Sequence, residues 1–260
     1  FKNFYILQYE DEESTKKAYD SYLKTDNIIS VDIDTVQKAF ESDFSDRESN
    51  AVYTREEFYD CWSLNATGMD KVLDTYSDKT FPDITVALID TGVDLDHSFL
   101  KNRITSNGYD LVDGDTVADD ENGHGTHVAG IVSDCTDGLN VKILPIRVLN
   151  SEGSGYSSII GQGIRYAANN GADVINLSLG GGKSDCIDSA VEYAVEKKGA
   201  VVCVAAGNGD ERNNPVDTKN ISPANCKDAI VVGAIDKNGN SIFFKLWFIS
   251  GCCCSRRGRI

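Results

Sequence analysis

Asn122-Gly123-His124-Gly125-Thr126-His127-Val128-Ala129-Gly130 sets a histidine between two glycines and follows it with small residues. That pattern lets backbone approach closely at the start of a helix. Thr126, Val128, Ala129 and Ile131 can then pack the helix into a core. Read alone, the stretch is a glycine-rich turn that holds a histidine. A partner upstream changes the reading. Val86-Ala87-Leu88-Ile89-Asp90-Thr91-Gly92-Val93-Asp94 is an apolar strand ending in a carboxylate and a tight turn. A parallel strand delivers the residues at its C-terminal end to the ligand-binding edge of an open sheet. Asp90 is thereby placed to orient His124, as a catalytic acid–base pair requires.

The rest of the chain repeats this layout. Val141–Leu149 reads as a strand with a bend or edge at Pro145, and Ser157–Asn169 as a helix stopped by Gly171. Asp173–Leu179 is a strand ending at three glycines, and Ile187–Lys198 a helix with a Gly199 stop. Ala200–Ala206 and Ala229–Ala234 are further strands. Strands alternating with helices imply an α/β fold, a parallel sheet with helices on both faces.

The N-terminal part reads differently. Phe4–Tyr9 is rich in strand formers, Ser14 can cap a helix whose stripe is Ala18, Tyr19, Tyr22 and Leu23, and Ile28–Asp34 is a second strand. Residues 1–36 are thus a small α+β piece, short for a domain of its own. Residues 37–60 are charged and polar and read as a linker.

Composition narrows the partners. The chain has 260 residues, 41% of them hydrophobic, enough for one large domain and a smaller module. A net charge of −16 argues against nucleic acid or an anionic membrane surface. No run reaches the roughly eighteen apolar residues that a membrane span needs. The sequence starts at Phe1 without a leader, so a signal peptide is expected upstream if there is one. Among the eight cysteines there is no CxxC pair and hence no zinc-site spacing. Cys203 reads as a small buried hydrophobe, and Cys186 and Cys226 could pair in an oxidising compartment. His124 and His127 lack the glutamate of an HExxH metal site. Gly180-Gly181-Gly182-Lys183-Ser184 ends like a phosphate-binding loop, but Leu177 stands where the first glycine belongs.

Four stretches, in order, resemble motifs of the subtilisin-like serine peptidases: Asp90-Thr91-Gly92, His124–Gly130, Ser178-Leu179-Gly180-Gly181 and Ala205-Ala206-Gly207-Asn208. The resemblance runs from about Trp62 to Asp236. It implies a serine endopeptidase in which Asp90 orients the imidazole, His124 is the general base and Asn208 donates to the oxyanion. It also implies that Gly153, Ser154 and Gly155 on one side, and Ser178, Leu179 and Gly180 on the other, flank a polypeptide substrate. Residues 1–36 resemble the second half of the family's inhibitory propeptide, a partner that occupies the cleft until it is cut. Processing is then expected within 37–60, in a secreted or cell-surface protein. No cofactor is implied. Calcium finds no support, because Phe99 stands where many relatives place an aspartate ligand and the loop after Gly130 is short.

One departure matters. The family's nucleophile motif, Gly-Thr-Ser-Met-Ala, is absent, and recognisable sequence stops near Phe243. Residues 244–260 have no apolar periodicity and end in a basic stretch, so they are expected to find no stable place in the core. Back-translated with suitable synonymous codons from Phe243, and with one T removed, they spell Phe-Ser-Asn-Tyr-Gly-Ser-Ser-Val-Asp-Val-Val-Ala-Pro-Gly-Val. That is the continuation the family would have. A one-base insertion in a T-rich run is the inferred cause. Three readings follow: an endopeptidase whose sequence is frame-shifted, a non-catalytic peptide-binding relative, and an unrelated α/β binding or transfer enzyme.

Overall fold

The apolar run ahead of Asp90 forms a strand, Ile84–Asp90, whose last five residues are all buried. It lies in the middle of the main sheet of the computed structural model, which describes residues 5–40, 62–76, 79–209, 214–236, 238–242, 244–245 and 253–255. In chain order the elements begin with α1 (Glu12–Tyr22), β1 (Val36–Ala39), α2 (Trp62–Thr67), α3 (Met69–Tyr76), β2 (Ile84–Asp90) and β3 (Tyr109–Asp110). Next come α4 (His124–Cys135), β4 (Val141–Arg147), β5 (Ser154–Tyr156), α5 (Ser157–Asn169), β6 (Val174–Leu177), β7 (Leu179–Gly182) and α6 (Asp185–Lys198). The last are β8 (Val201–Ala205), β9 (Val216–Asp217), β10 (Ile221–Ser222), β11 (Ile230–Ile235), β12 (Ser241–Ile242), β13 (Phe244–Lys245) and β14 (Cys253–Ser255).

The main sheet runs β12-β11-β8-β6-β2-β4-β3, and β14 also pairs with β11. From β11 to β3 every pairing is parallel. Successive residues of a strand face opposite sides, and β2 shows the result. Ala87 and Ile89 join Ile160 and Ile164 of α5 and Ile187 and Val191 of α6 in one core. Val86 and Leu88 face the other way and pack with Ala129 of α4. Helices therefore cover both faces, and the α/β expectation holds. Each fully buried Leu or Ile contributes roughly 1.5–3 kcal/mol.

Local chemistry sets the helix ends. The Ser184 side chain caps α6 at the Ile187 N–H, and Gly199 closes it at φ 74°. Asp185 and Asp188 lie in its first turn and Lys197 and Lys198 in its last, each complementing the helix dipole. Pro145 sits in β4, between the Ile104–Ile143 bridge and the two-residue β3 on its outer side; a residue without an N–H is tolerated at such a sparsely paired edge.

Several expectations need correction. The strand expected over 173–179 divides at Ser178: β6 stays in the main sheet, while β7 enters a second, antiparallel sheet of order β10-β7-β1-β5. The N-terminal piece keeps its helix, but Asp11 rather than Ser14 is the cap, accepting the Ser14 N–H at 2.7 Å. Residues 5–9 and 28–34 form no strand. Those segments are largely exposed and pair with no strand among the described residues, so strand propensity alone does not extend them. Instead the strand falls at Val36–Ala39, across the boundary between the expected propeptide and linker. The remainder of that linker, 41–60, lies outside the described residues.

Cys186 and Cys226 are both free. Burial, with Asp34 adding to it, pushes the Cys186 thiol up to about 11. Cys226 is also pushed up by burial and donates to Asp188 Oδ1 at 3.3 Å. Within the terminal segment, the described residues make backbone pairings. Phe244–Lys245 pairs with β9, and Cys253–Ser255 pairs in parallel with β11. An open strand edge offers its N–H and C=O groups to any extended backbone, whatever side chains it carries.

Candidate active site

Asp90 ends β2 and is fully buried, and His124 opens α4 with only 5% of its surface exposed. His124 Nδ1 and Asp90 Oδ1 are 2.7 Å apart. A buried carboxylate can only accept, so the geometry assigns the proton to Nδ1 and leaves Nε2 to face the cleft. Asp90 Oδ1 also accepts from the Thr91 N–H at 2.7 Å, which fixes the carboxylate's orientation.

Glycines make this approach fit. Gly92, at φ 103°, could not carry a side chain, since a Cβ there would lie 2.5 Å from the Asp119 carbonyl. A Cβ on Gly125 would collide with the Gly92 carbonyl. The strand end and the helix start therefore touch backbone to backbone. Gly123 precedes His124 at φ 102°, a conformation glycine adopts without strain.

Asp120 holds the two segments together, and the sequence reading missed it. Its Oδ1 accepts from Thr91 Oγ1 at 2.8 Å, Gly123 N–H at 2.9 Å and Asn122 N–H at 3.0 Å. Its Oδ2 accepts from the Thr126 N–H at 2.9 Å and hydroxyl at 2.6 Å. Burial opposes its charge, but the Thr126 hydroxyl and the backbone N–H groups outweigh it and hold the carboxyl below its ordinary range. A signal was present: an aspartate shortly before a helix start is a capping residue type. Arg147 adds a further tie. From the end of β4 it binds Asp110 at 2.9 Å, Asp113 at 3.0 Å and, in the loop leading to His124, Glu121 at 2.6 Å.

The imidazole of His124 is shifted upward. Burial works against its charged form; the hydrogen bond and charge of Asp90, the Phe40 backbone and the charge of Asp120 together prevail. A backbone group that favours the charged ring is an acceptor, so the Phe40 partner is its carbonyl.

The chain segment beside His124 lies in a groove made by the residues expected to flank a substrate. β1 runs antiparallel to β5 and β7 at once. Lys38 stands opposite Ser154 and Gly180, and Ala39 opposite Leu179. Ala39 N–H donates to the Gly153 carbonyl at 2.8 Å and Phe40 N–H to the Ser178 carbonyl at 3.0 Å. Gly155 stands opposite Gln37, and a Cβ on it would meet the Val148 carbonyl. The structure thus brings Gly153, Ser154, Gly155, Ser178, Leu179 and Gly180 around one extended segment. Asn208 follows β8, half-buried at the same strand edge, and the ring of Phe40 lies 3.6 Å from where a Cβ of Gly207 would stand.

Comparison with known proteins gives the family. The sequence profile of the Subtilase family matches residues 82–246. The chain belongs to that family. It is 41% identical over 181 residues to a thermophilic serine proteinase of Bacillus sp. (strain AK1), covering 63% of this chain and 42% of that protein. It is 42% identical over 171 residues to subtilisin DY of Bacillus licheniformis, covering 62% of this chain and 60% of that one. Among solved structures, a cold-adapted subtilisin-like serine proteinase superposes with a TM-score of 0.61 at 33% identity. That match covers 75% of this chain and 71% of the other. The chain thus spans 42–60% of the length of these two curated relatives. Among the described residues, no serine hydroxyl hydrogen-bonds to His124, and no helix is long and apolar enough to cross a membrane.

Proposed function

We propose that this subtilase chain belongs to a secreted serine endopeptidase acting on polypeptides, with Asp90 and His124 as two members of an Asp-His-Ser triad. The observation that carries the reading is the buried Asp90–His124 pair facing a groove filled by an extended peptide segment. In the proposed reaction a serine Oγ attacks the substrate carbonyl carbon and gives its proton to His124 Nε2. Asp90 keeps the ring in the Nδ1–H tautomer and stabilises the imidazolium that forms. Asn208 donates to the developing oxyanion, a task suited to an amide that does not titrate. His124 then hands its proton to the leaving amine, and water hydrolyses the acyl-enzyme. Residues 1–36 act as part of the propeptide, with the segment through Phe40 blocking the groove.

The serine itself is assigned to the sequence read in the restored frame after Phe243. The restored reading supports this, because it spells the continuation the family would have after Phe243. A second reading, a peptide-binding relative without turnover, draws on the lack of a described serine at His124.

One experiment separates the two. The 260-residue chain and the frame-restored protein are each treated with a serine-directed fluorophosphonate and assayed on peptides. Labelling and cleavage by the restored protein alone are expected. Labelling of the 260-residue chain at one serine would overturn the assigned nucleophile, and silence from both proteins would favour the binding relative. Sequencing the locus around the Phe243 codon tests the insertion directly: bases unable to encode the restored continuation would exclude it.

A further inference from the structure

Asn122-Gly123 stands immediately ahead of His124, and the fold calls for both residues. Gly123 has φ 102°, yet a Cβ there would stand in open space, so conformation rather than crowding requires glycine. Asn122 Oδ1 accepts the His124 N–H at 3.1 Å, satisfying a donor that the start of α4 leaves open. These two requirements put a chemically labile dipeptide beside the buried histidine. In an Asn-Gly pair the glycine nitrogen, unhindered by a neighbouring Cβ, can attack the asparagine Cγ and release its amide as ammonia. Both residues are exposed, so water reaches them.

Every polar group around that ring closure is engaged. The Gly123 N–H donates to Asp120 Oδ1 at 2.9 Å, and the Asn122 N–H donates to the same oxygen at 3.0 Å. Asn122 Nδ2 donates to the Ser151 carbonyl at 3.0 Å, while its Oδ1 holds the His124 N–H. Cyclisation needs the Gly123 nitrogen to turn towards Cγ and the side-chain amide to rotate, and either motion breaks one of these bonds. The bond to Asp120 is charge-assisted, which makes it the strongest kind in the set.

We infer that Asn122-Gly123 is a latent isoaspartate site that Asp120 keeps closed, and that its conversion disables His124. In the reaction a bond forms between the Gly123 nitrogen and Asn122 Cγ, the Cγ–Nδ2 bond breaks, and ammonia leaves with the Gly123 proton. Water then opens the succinimide at either carbonyl, giving aspartate or isoaspartate at position 122. Isoaspartate routes the main chain through Cβ and Cγ, which adds one carbon two residues before His124. Beyond the histidine there is no slack to absorb it, because Gly125 already touches the Gly92 carbonyl. The added length therefore moves the ring away from Asp90. The chemistry is independent of the peptidase reading, and its consequence for activity rests on that reading.

The 260-residue chain supplies the test. Its Gly123 amide is expected to exchange hydrogen about tenfold or more slowly than in the unfolded chain, as a held N–H does. Exchange at the unfolded rate would overturn the proposal without any variant. During incubation at neutral pH, peptide mass and isoaspartate-specific methylation follow conversion at Asn122, with Asn107-Gly108 as an internal reference. Asp120→Ala should speed conversion at Asn122 about tenfold and leave Asn107 unchanged. A rate at Asn122 that is unchanged or slower would overturn the assignment, slower meaning that the carboxylate promotes the attack. A parallel rise at Asn107 would mark a variant that has lost its fold. Asp120→Asn, which keeps the shape and a weaker neutral acceptor, is then measured instead. It should still convert faster than the native chain, and a rate at or below native overturns the proposal. In the frame-restored protein, fluorophosphonate labelling should fall in step with isoaspartate. Labelling that persists on converted chains would overturn the link to His124. A restored protein that never labels refutes the peptidase reading instead, and the conversion rates still decide what Asp120 does.

Discussion

Asp90 Oδ1 and His124 Nδ1 lie 2.7 Å apart, at the junction of a strand end and a helix start that are almost closed to water. The pair controls the titration of the ring. His124 is raised above its ordinary 6.5 although burial alone would lower it. Replacing Asp90 by Asn keeps the shape and removes the charge, so burial should then dominate. NMR of the ring nitrogens is expected to show the His124 midpoint above 6.5 in the native chain and below it in Asp90→Asn. An unchanged midpoint would show that Asp90 does not set it. The sign for stability follows. A group raised on folding stabilises fully below its unfolded pKa, near 6.5. That contribution disappears as pH climbs through the folded value.

The contact between Gly125 and Gly92 leaves no room for a methyl group. Gly125→Ala should therefore lower stability by about 1–3 kcal/mol, as overpacking does. Gly130, farther along α4, has open space where a Cβ would stand, with nothing within 4 Å. Gly130→Ala should raise stability by roughly 0.5–1 kcal/mol. Urea midpoints for the two variants should move in opposite directions. Movement in the same direction would mean that the crossing does not constrain the helix start.

Asp120 is held below its ordinary value of 3.8, because the Thr126 hydroxyl and backbone N–H groups outweigh its burial. Asp120→Ala is expected to cost about 1–2 kcal/mol at neutral pH, the range of a lost helix cap. A depressed carboxyl contributes above its unfolded pKa and loses that contribution as pH falls through the folded one. The stability gap between native chain and variant should thus narrow below pH 3.8. Denaturation curves at neutral and acidic pH check this, and a gap that does not depend on pH would contradict it.

Arg147 is buried against Asp110, which is also buried. Arg147→Ala leaves a buried carboxylate without its main partner and should cost about 3–5 kcal/mol. Removing both charges with Arg147→Met and Asp110→Leu should recover most of the loss. If the double variant is no more stable than Arg147→Ala, the unpaired Asp110 charge is not the origin of the cost.

The sequence by itself determined the sheet and the acid–base pair. Residues such as Val86 to Asp90 carry their signal locally: an apolar run long enough for one buried strand, closed by a carboxylate and a glycine turn. The glycines around His124 were equally legible, since a small residue at a tight crossing is needed whatever lies opposite. Asp120 could have been found from its capping type, but its bond to Thr91 depends on a loop closing across the strand end. What only the tertiary structure decided lies at the N-terminus. Nothing in Val36-Gln37-Lys38-Ala39 is apolar enough to announce a strand, while Ile28–Asp34, richer in strand formers, forms none. Strand formation there depends on a partner edge, and β5 and β7 offer two edges at just that distance along the chain. Backbone hydrogen bonds from two neighbours override side-chain propensity, so the segment that fills the groove is set by register rather than by composition.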